Sequence, residues 1–139
     1  MKPIQISQRI HVRVESVWNA YTSEEDIKQW NHASDDWQCT SASNDLRIGG
    51  KLKYHMAAKD GSYAFDFEGT YTRLDPFKQI NYTMPNGRKV EIHFKSLPDA
   101  TDVSLVIDPE EENPIDTQTA GWDAILTNFR LYVEKIYSL

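Results

Sequence analysis

The sequence predicts an α+β domain in which a curved antiparallel sheet of six to seven strands wraps around a long C-terminal helix, with two short helices after the first strand. Three observations predict it. From Trp37 to Ile107 apolar residues alternate between turn signals, the period of half-buried strands. From Trp122 to Ile136 they recur at spacings of three and four, a broad apolar stripe on one helix. Ahead of Trp37, two short helical patterns follow one strand pattern directly. At 139 residues, 40% of them apolar, the chain fits one domain, residues 1–139, large enough to bury a core.

Ile4, Ile6, Ile10, Val12 and Val14 fall on alternate positions with Gln8 as the exception, so residues 3–12 read as a half-buried strand. Val14, Val17, Trp18 and Tyr21 then share a helix face, starting near Glu15 or Ser16. Ser23 followed by Glu24, Glu25 and Asp26 predicts a fresh N-cap and a second short helix through Trp30.

In the run of strands, Leu52, Tyr54, Met56 and Ala58 share one face, and Asp60-Gly61 predicts a hairpin turn. The returning strand places Tyr63, Phe65, Phe67, Gly69 and Tyr71 together and is broken by Asp75-Pro76. Ile80, Tyr82 and Met84, then Val90, Ile92 and Phe94, then Val103, Leu105 and Ile107 complete the alternation. Such short connections imply a meander of antiparallel neighbours with one apolar face. Asn113-Pro114 predicts the cap and first turn of the final helix, whose stripe runs Trp122, Ile125, Leu126, Phe129, Tyr132, Val133, Ile136.

A net charge of -6 disfavours nucleic acid and anionic membranes as partners, and no apolar stretch is long enough for a membrane span. The acidic run Asp108 to Glu112 reads as a solvated loop ahead of a helix N-terminus. The start of the chain has no apolar leader segment, and the single cysteine, Cys39, can form no intrachain disulfide. A cytoplasmic location is the expectation.

A twisted sheet closed over one helix leaves volume that is either plugged by side chains or left as a pocket. By register, Tyr54, Phe65, Phe67, Tyr82, Phe94, Trp122 and Phe129 point into it. Trp18 with Tyr21-Thr22, Ile27 and Trp30, Asp45-Leu46-Arg47-Ile48-Gly49-Gly50, Asp60-Gly61, Gly69-Thr70-Tyr71, Pro76 with Ile80, and Gly121-Trp122 occur in one order across residues 18–122. In that order the chain resembles the heat-shock protein 90 ATPase activator homologue-like domains of the START-like (SRPBCC, helix-grip) superfamily. The resemblance implies the helix-grip fold and a cavity between sheet and final helix. Gly49-Gly50 is expected to permit a tight turn with Arg47 tied to Asp45 or to carbonyls. Gly121 is expected to let the helix backbone approach the sheet.

Candidate chemistry is sparse. His11, His55 and His93 fall on outward registers, and no two histidines have metal-site spacing. Asp66 and Glu68 share the polar face of one strand and read as solvated charges. No nucleophile motif or phosphate-cradling loop is present. The leading expectation is binding of a hydrophobic or aromatic small molecule, without cofactor or metal, by Trp30, His32, Trp37, Tyr54, Phe65, Phe67, Tyr82, Phe94, Trp122 and Phe129. His32 enters because its loop lies where such folds have their cavity mouth. The resemblance implies an alternative, a module partnered by a chaperone. On this reading the chain is expected to differ from the eukaryotic activators in lacking their additional N-terminal domain. A cyclase- or hydrolase-type enzyme using the same cavity is the third reading. Monomer and homodimer both remain open.

Overall fold

The computed structural model describes residues 2–137. Its elements are β1 (Ile4–Ile10), α1 (Val14–Thr22), α2 (Glu24–Trp30), β2 (Trp37–Asn44), β3 (Lys51–Ala58), β4 (Ala64–Asp75), β5 (Gln79–Thr83), β6 (Lys89–Leu97), β7 (Ala100–Ile107) and α3 (Ile115–Ile136). The seven strands form one antiparallel sheet in the order β1-β7-β6-β5-β4-β3-β2. β2 through β7 are the expected meander, and β1 closes on β7 with Ile4 opposite Ile107. The predicted α+β class and element order are therefore observed.

β1 is shorter than the pattern of residues 3–12 suggests. It ends at Ile10, where the amide of Val12 turns back to the Ile10 carbonyl at 2.9 Å. Gln8 interrupts the apolar alternation because it faces α3. Its amide donates to Asp123 Oδ1 (3.0 Å) and Thr127 Oγ1 (2.7 Å), and its carbonyl accepts from Arg130 Nε at 2.7 Å. A polar residue fits an inward position when every hydrogen-bonding group it carries is matched.

Two bulges correct the alternation. The β2–β3 register shifts between Cys39 and Ser41, so Cys39 and then Ala42 face the core. The β4–β5 register shifts between Tyr71 and Arg73. Without it, the period of two would carry Arg73 inward after Tyr71. With it, Arg73 pairs with Asp75 at the surface and Leu74 packs on the core.

The core lies between the concave sheet face and the helices. Leu126, Phe129 and Val133 of α3 are buried, while Ile136, at the end of the predicted stripe, is 45% exposed. Tyr132 donates to Asp26 Oδ1 (2.5 Å), which ties α3 to α2. Trp30 Nε1 donates to the Ala20 carbonyl at 3.0 Å and fixes α2 on α1. α2 lies against β2, where Glu24 Oε2 accepts the Asn44 amide at 2.7 Å.

Two expected caps differ in detail. Ser23 is the N-cap of α2, but its side chain makes no capping bond; the acids in the first turn favour that terminus instead. α3 begins one residue later than Asn113-Pro114 suggests, with Pro114 as the N-cap. The Asn113 side chain turns toward the preceding loop, where its Nδ2 donates to Glu110 Oε1. Gln118 supplies the local order, receiving the Glu110 amide at 2.9 Å and donating to the Asn113 carbonyl at 2.7 Å.

Candidate ligand chamber

Curvature leaves a chamber of about 130 Å³ between the sheet and α3. Its floor is the inward register of four neighbouring strands: Leu52, Tyr54 and Met56 of β3, Phe65, Phe67 and Tyr71 of β4, Ile80 and Tyr82 of β5, and Ile92 of β6. Leu105 of β7 extends it. Trp122, Ile125, Leu126 and Phe129 of α3 form the roof, with Tyr21, Trp30 and Asn31 at one end. Phe65 is 42% exposed while lining the chamber, so the space reaches solvent beside it.

The loop from Asp45 to Gly50 sets one wall. Arg47 Nε bonds both Asp45 carboxylate oxygens, at 3.1 and 2.9 Å, as the sequence suggests. Gly49 has φ of +82°, and a Cβ on Gly50 would lie 2.1 Å from the Asp45 carbonyl oxygen, so the turn requires glycine twice. The folded loop exchanges backbone bonds with Tyr71: Gly49 N–H to the Tyr71 carbonyl and Tyr71 N–H to the Gly50 carbonyl, both 2.9 Å. At the end of β2, Asn44 Oδ1 accepts the Tyr71 hydroxyl, and Asn44 Nδ2 donates to the Thr22 carbonyl at 2.7 Å. The glycine loop therefore fixes the backbone of Tyr71, and Asn44 fixes its tip.

Four tyrosines and Asn31 supply the polarity of an otherwise apolar space. The Tyr54 and Tyr71 side chains lie near enough to shift each other's titration. Burial raises the Tyr71 pKa to about 12, with Tyr54 and the bond to Asn44 opposing the shift. Burial, then Tyr71, pushes Tyr21 up; burial, then the neighbouring tyrosines, pushes Tyr54 up. Tyr82 is raised by burial and by Tyr21 and Tyr71, with Arg88 opposing. All four tyrosines are neutral phenols at ordinary pH; the Tyr71 proton is engaged by Asn44, which leaves Tyr71 an acceptor and the other phenols as the donors toward a carbonyl, hydroxyl or carboxylate oxygen.

Seven of the ten residues expected from sequence line this space: Trp30, Tyr54, Phe65, Phe67, Tyr82, Trp122 and Phe129. Phe94 lies outside the lining, wedged between Trp18 and Tyr21 with ring centroids 5.2 and 5.7 Å away. Trp37 also lies outside, at the start of β2, edge-on to Phe65 with centroids 5.9 Å apart. His32 is absent from the lining because Asn31 turns toward the chamber in its place, donating to Met56 Sδ at 3.5 Å. The His32 carbonyl instead accepts from Asn128 of α3 at 2.5 Å, and burial lowers its imidazole pKa, with Asp35 opposing.

Tyr21, Asn31 and Tyr71 are the polar lining residues that the sequence reading left out. Tyr71 shares the strand register of Phe65 and Phe67, which was the available signal. Leu52, Met56, Ile80, Ile92, Leu105, Ile125 and Leu126 carry no separate signal, since an aliphatic residue reads identically whether it faces a void or a neighbour.

The remaining titratable clusters are superficial. His55 Nδ1 lies 2.8 Å from Asp66 Oδ1, and His93 Nε2 lies 3.0 Å from Glu91 Oε1, on partly exposed strand faces. Asp66 and Glu68 are exposed. Among the described residues no group of three His, Cys, Asp or Glu is placed to hold a metal ion. No helix of the described residues is long and apolar enough to cross a membrane.

A seven-stranded sheet gripping a C-terminal helix over an aromatic chamber defines a START-like, helix-grip domain. Residues 11–134 match the family described as activator of Hsp90 ATPase homolog 1-like protein, and the chain belongs to that family. It is similar to the AHSA1-like protein from Aeromonas hydrophila, with 42% identity over 95% of this chain and 93% of that one and a TM-score of 0.87. A protein from Cytophaga hutchinsonii is 40% identical over 96% and 93% of the two chains, with a TM-score of 0.84. The Aha1 dimer from Colwellia psychrerythraea shares the fold at 17% identity, over 96% and 97%, with a TM-score of 0.73. No curated protein matches the chain.

Proposed function

We propose that the protein binds a small, mostly apolar molecule in the chamber between the sheet and α3, acting as a single domain, residues 1–139. One observation carries this reading: aromatic and aliphatic walls surround about 130 Å³ of unfilled space into which neutral tyrosines project. Unfilled apolar volume is costly to leave in a core, and an engineered apolar cavity of about 150 Å³ takes up benzene. The volume therefore suits a monocyclic or short-chain body. Apolar burial contributes roughly 25 cal/mol per Å², and the phenols orient any oxygen the molecule carries. A cytoplasmic location accords with Cys39 as a buried free thiol.

Native mass spectrometry of protein purified from its own host, combined with toluene titration followed by NMR, tests the reading. A retained small molecule is expected, as are shifts of chamber-residue signals with Kd of roughly 0.1–1 mM for toluene. Absence of both a retained mass and a toluene response would remove the proposal.

The family description favours a second reading, a module that engages a chaperone ATPase. Its test is stimulation of such an ATPase by the purified protein; this chain would do so as a monomer or as a homodimer. An enzyme of the cyclase or hydrolase type ranks third, because the chamber's titratable side chains are phenols held protonated.

A further inference from the structure

Arg88 lies just past the Pro85-Asn86-Gly87 turn, and its guanidinium is held without a carboxylate. Nη1 reaches the Asp108 carbonyl at 3.5 Å and Nη2 reaches Met84 Sδ at 3.6 Å, both weak contacts. Nε is buried and has no partner among the described residues. The other five arginines each pair with an acid: Arg9 with Asp102, Arg13 with Glu15, Arg47 with Asp45, Arg73 with Asp75, and Arg130 with Glu134. A partly buried cation without an acid, where every other guanidinium has one, is an unmet demand for an anion.

The space around Arg88 meets that demand in shape. A cleft of about 340 Å³ runs from Arg88 to Gln118 and Gly121 of α3. Trp122 and Ile125 line both this cleft and the aromatic chamber, so two side chains form the partition between them. Gly121 opens the cleft further: a Cβ there would meet nothing within 4 Å. Tyr82, on the chamber side, is near enough to Arg88 to feel its charge. Glu110 also lines the cleft, but its carboxylate is engaged by the Asn113 amide rather than by Arg88.

We infer that the cleft beside Arg88 receives the anionic head of a molecule whose apolar body occupies the chamber, and that the ligand class is an aryl or short alkyl carboxylate. The inference rests on the chamber being a ligand site. The guanidinium would bond the carboxylate in a forked geometry, with the Tyr82 hydroxyl as a neighbouring donor and the ring or chain passing Trp122 into the apolar space.

The test compares toluene, 3-phenylpropionate and the methyl ester of 3-phenylpropionate at neutral pH, by NMR titration of the full chain and of Arg88→Met. Toluene reports the chamber alone and shows that the variant is folded. The acid is expected to bind roughly tenfold more tightly than its ester, and Arg88→Met to erase that preference while leaving toluene affinity unchanged. Equal affinity for acid and ester, or a preference that survives Arg88→Met, overturns the inference and leaves the chamber reading standing. Failure of both toluene and the acid to move chamber signals removes the chamber reading, and the carboxylate site with it.

Discussion

The ring of Tyr82 lies against Gly69: a Cβ at position 69 would stand 2.6 Å from Tyr82 Cδ2. The backbone at Gly69 has no positive φ, so the glycine is required by the neighbouring ring and not by a turn. Gly69→Ala is expected to displace Tyr82 and lower stability by about 1–3 kcal/mol, the cost of overpacking. Urea unfolding measures the loss. Because Tyr82 lines the chamber, toluene affinity should change in the same variant.

Gly50 and Gly121 should respond in opposite directions. A Cβ on Gly50 meets the backbone oxygen of Asp45 at 2.1 Å, which no side-chain rotation relieves. Gly50→Ala should therefore destabilise by roughly 2 kcal/mol or more and loosen the loop's pairing with Tyr71. Gly121→Ala has open space around it and removes a glycine from a helix interior, so it should stabilise by about 1 kcal/mol. Urea midpoints of the two variants give both signs directly.

Trp30→Phe keeps a ring between Tyr21 and Phe129 but removes the donor to the buried Ala20 carbonyl. An orphaned buried acceptor costs about 1–3 kcal/mol, so the thermal midpoint should fall by several degrees. Little change would mean that the carbonyl finds another donor.

Alkaline pH should unfold the protein through its buried phenols. Tyr71 moves from 10.0 to about 12 in the folded state, and Tyr54 and Tyr82 move in the same direction. Above pH 10 the unfolded chain loses phenolic protons that the folded chain retains. Stability is thus intact below pH 10 and falls as pH rises toward about 12. The slope approaches about 1.4 kcal/mol per pH unit for each such tyrosine. The share of tyrosinate absorbance that belongs to the buried phenols should appear together with the loss of circular dichroism; ionisation of every tyrosine in a still-folded protein would contradict this account.

The fold was legible because its determinants are periodic. Strand alternation, the α3 stripe and the Asp60-Gly61 turn each leave a local mark in the text. What stayed hidden depends on pairs of residues distant in sequence. Gln8 looked like an error in a strand until Asp123, Thr127 and Arg130 were placed opposite it. Gly121 was expected to admit close packing of helix on sheet; the structure shows open space there instead, since the sheet curves away and leaves the cleft. Asn113 reads as a helix cap, yet its side chain is directed to Glu110 in the preceding loop and Pro114 takes the cap position. Seven of the residues named from the sequence line the chamber because they are aromatic and inward by register. His32 was placed by proximity in the chain, and a one-residue turn at Asn31 was enough to exclude it. Arg88 carries no local signal at all: its isolation is visible only once the partners of every other arginine are known.

The contact between Glu24 and the Asn44 amide has a bearing on how copies of the protein meet. Asn44 closes β2, the outermost strand of the sheet, and its N–H points away from β3 toward α2. An added strand from a second molecule would need that donor, and a carboxylate already occupies it. The ladder is thus stoppered from within at this rim, and growth of the sheet into a polymer here would first require α2 to be peeled back.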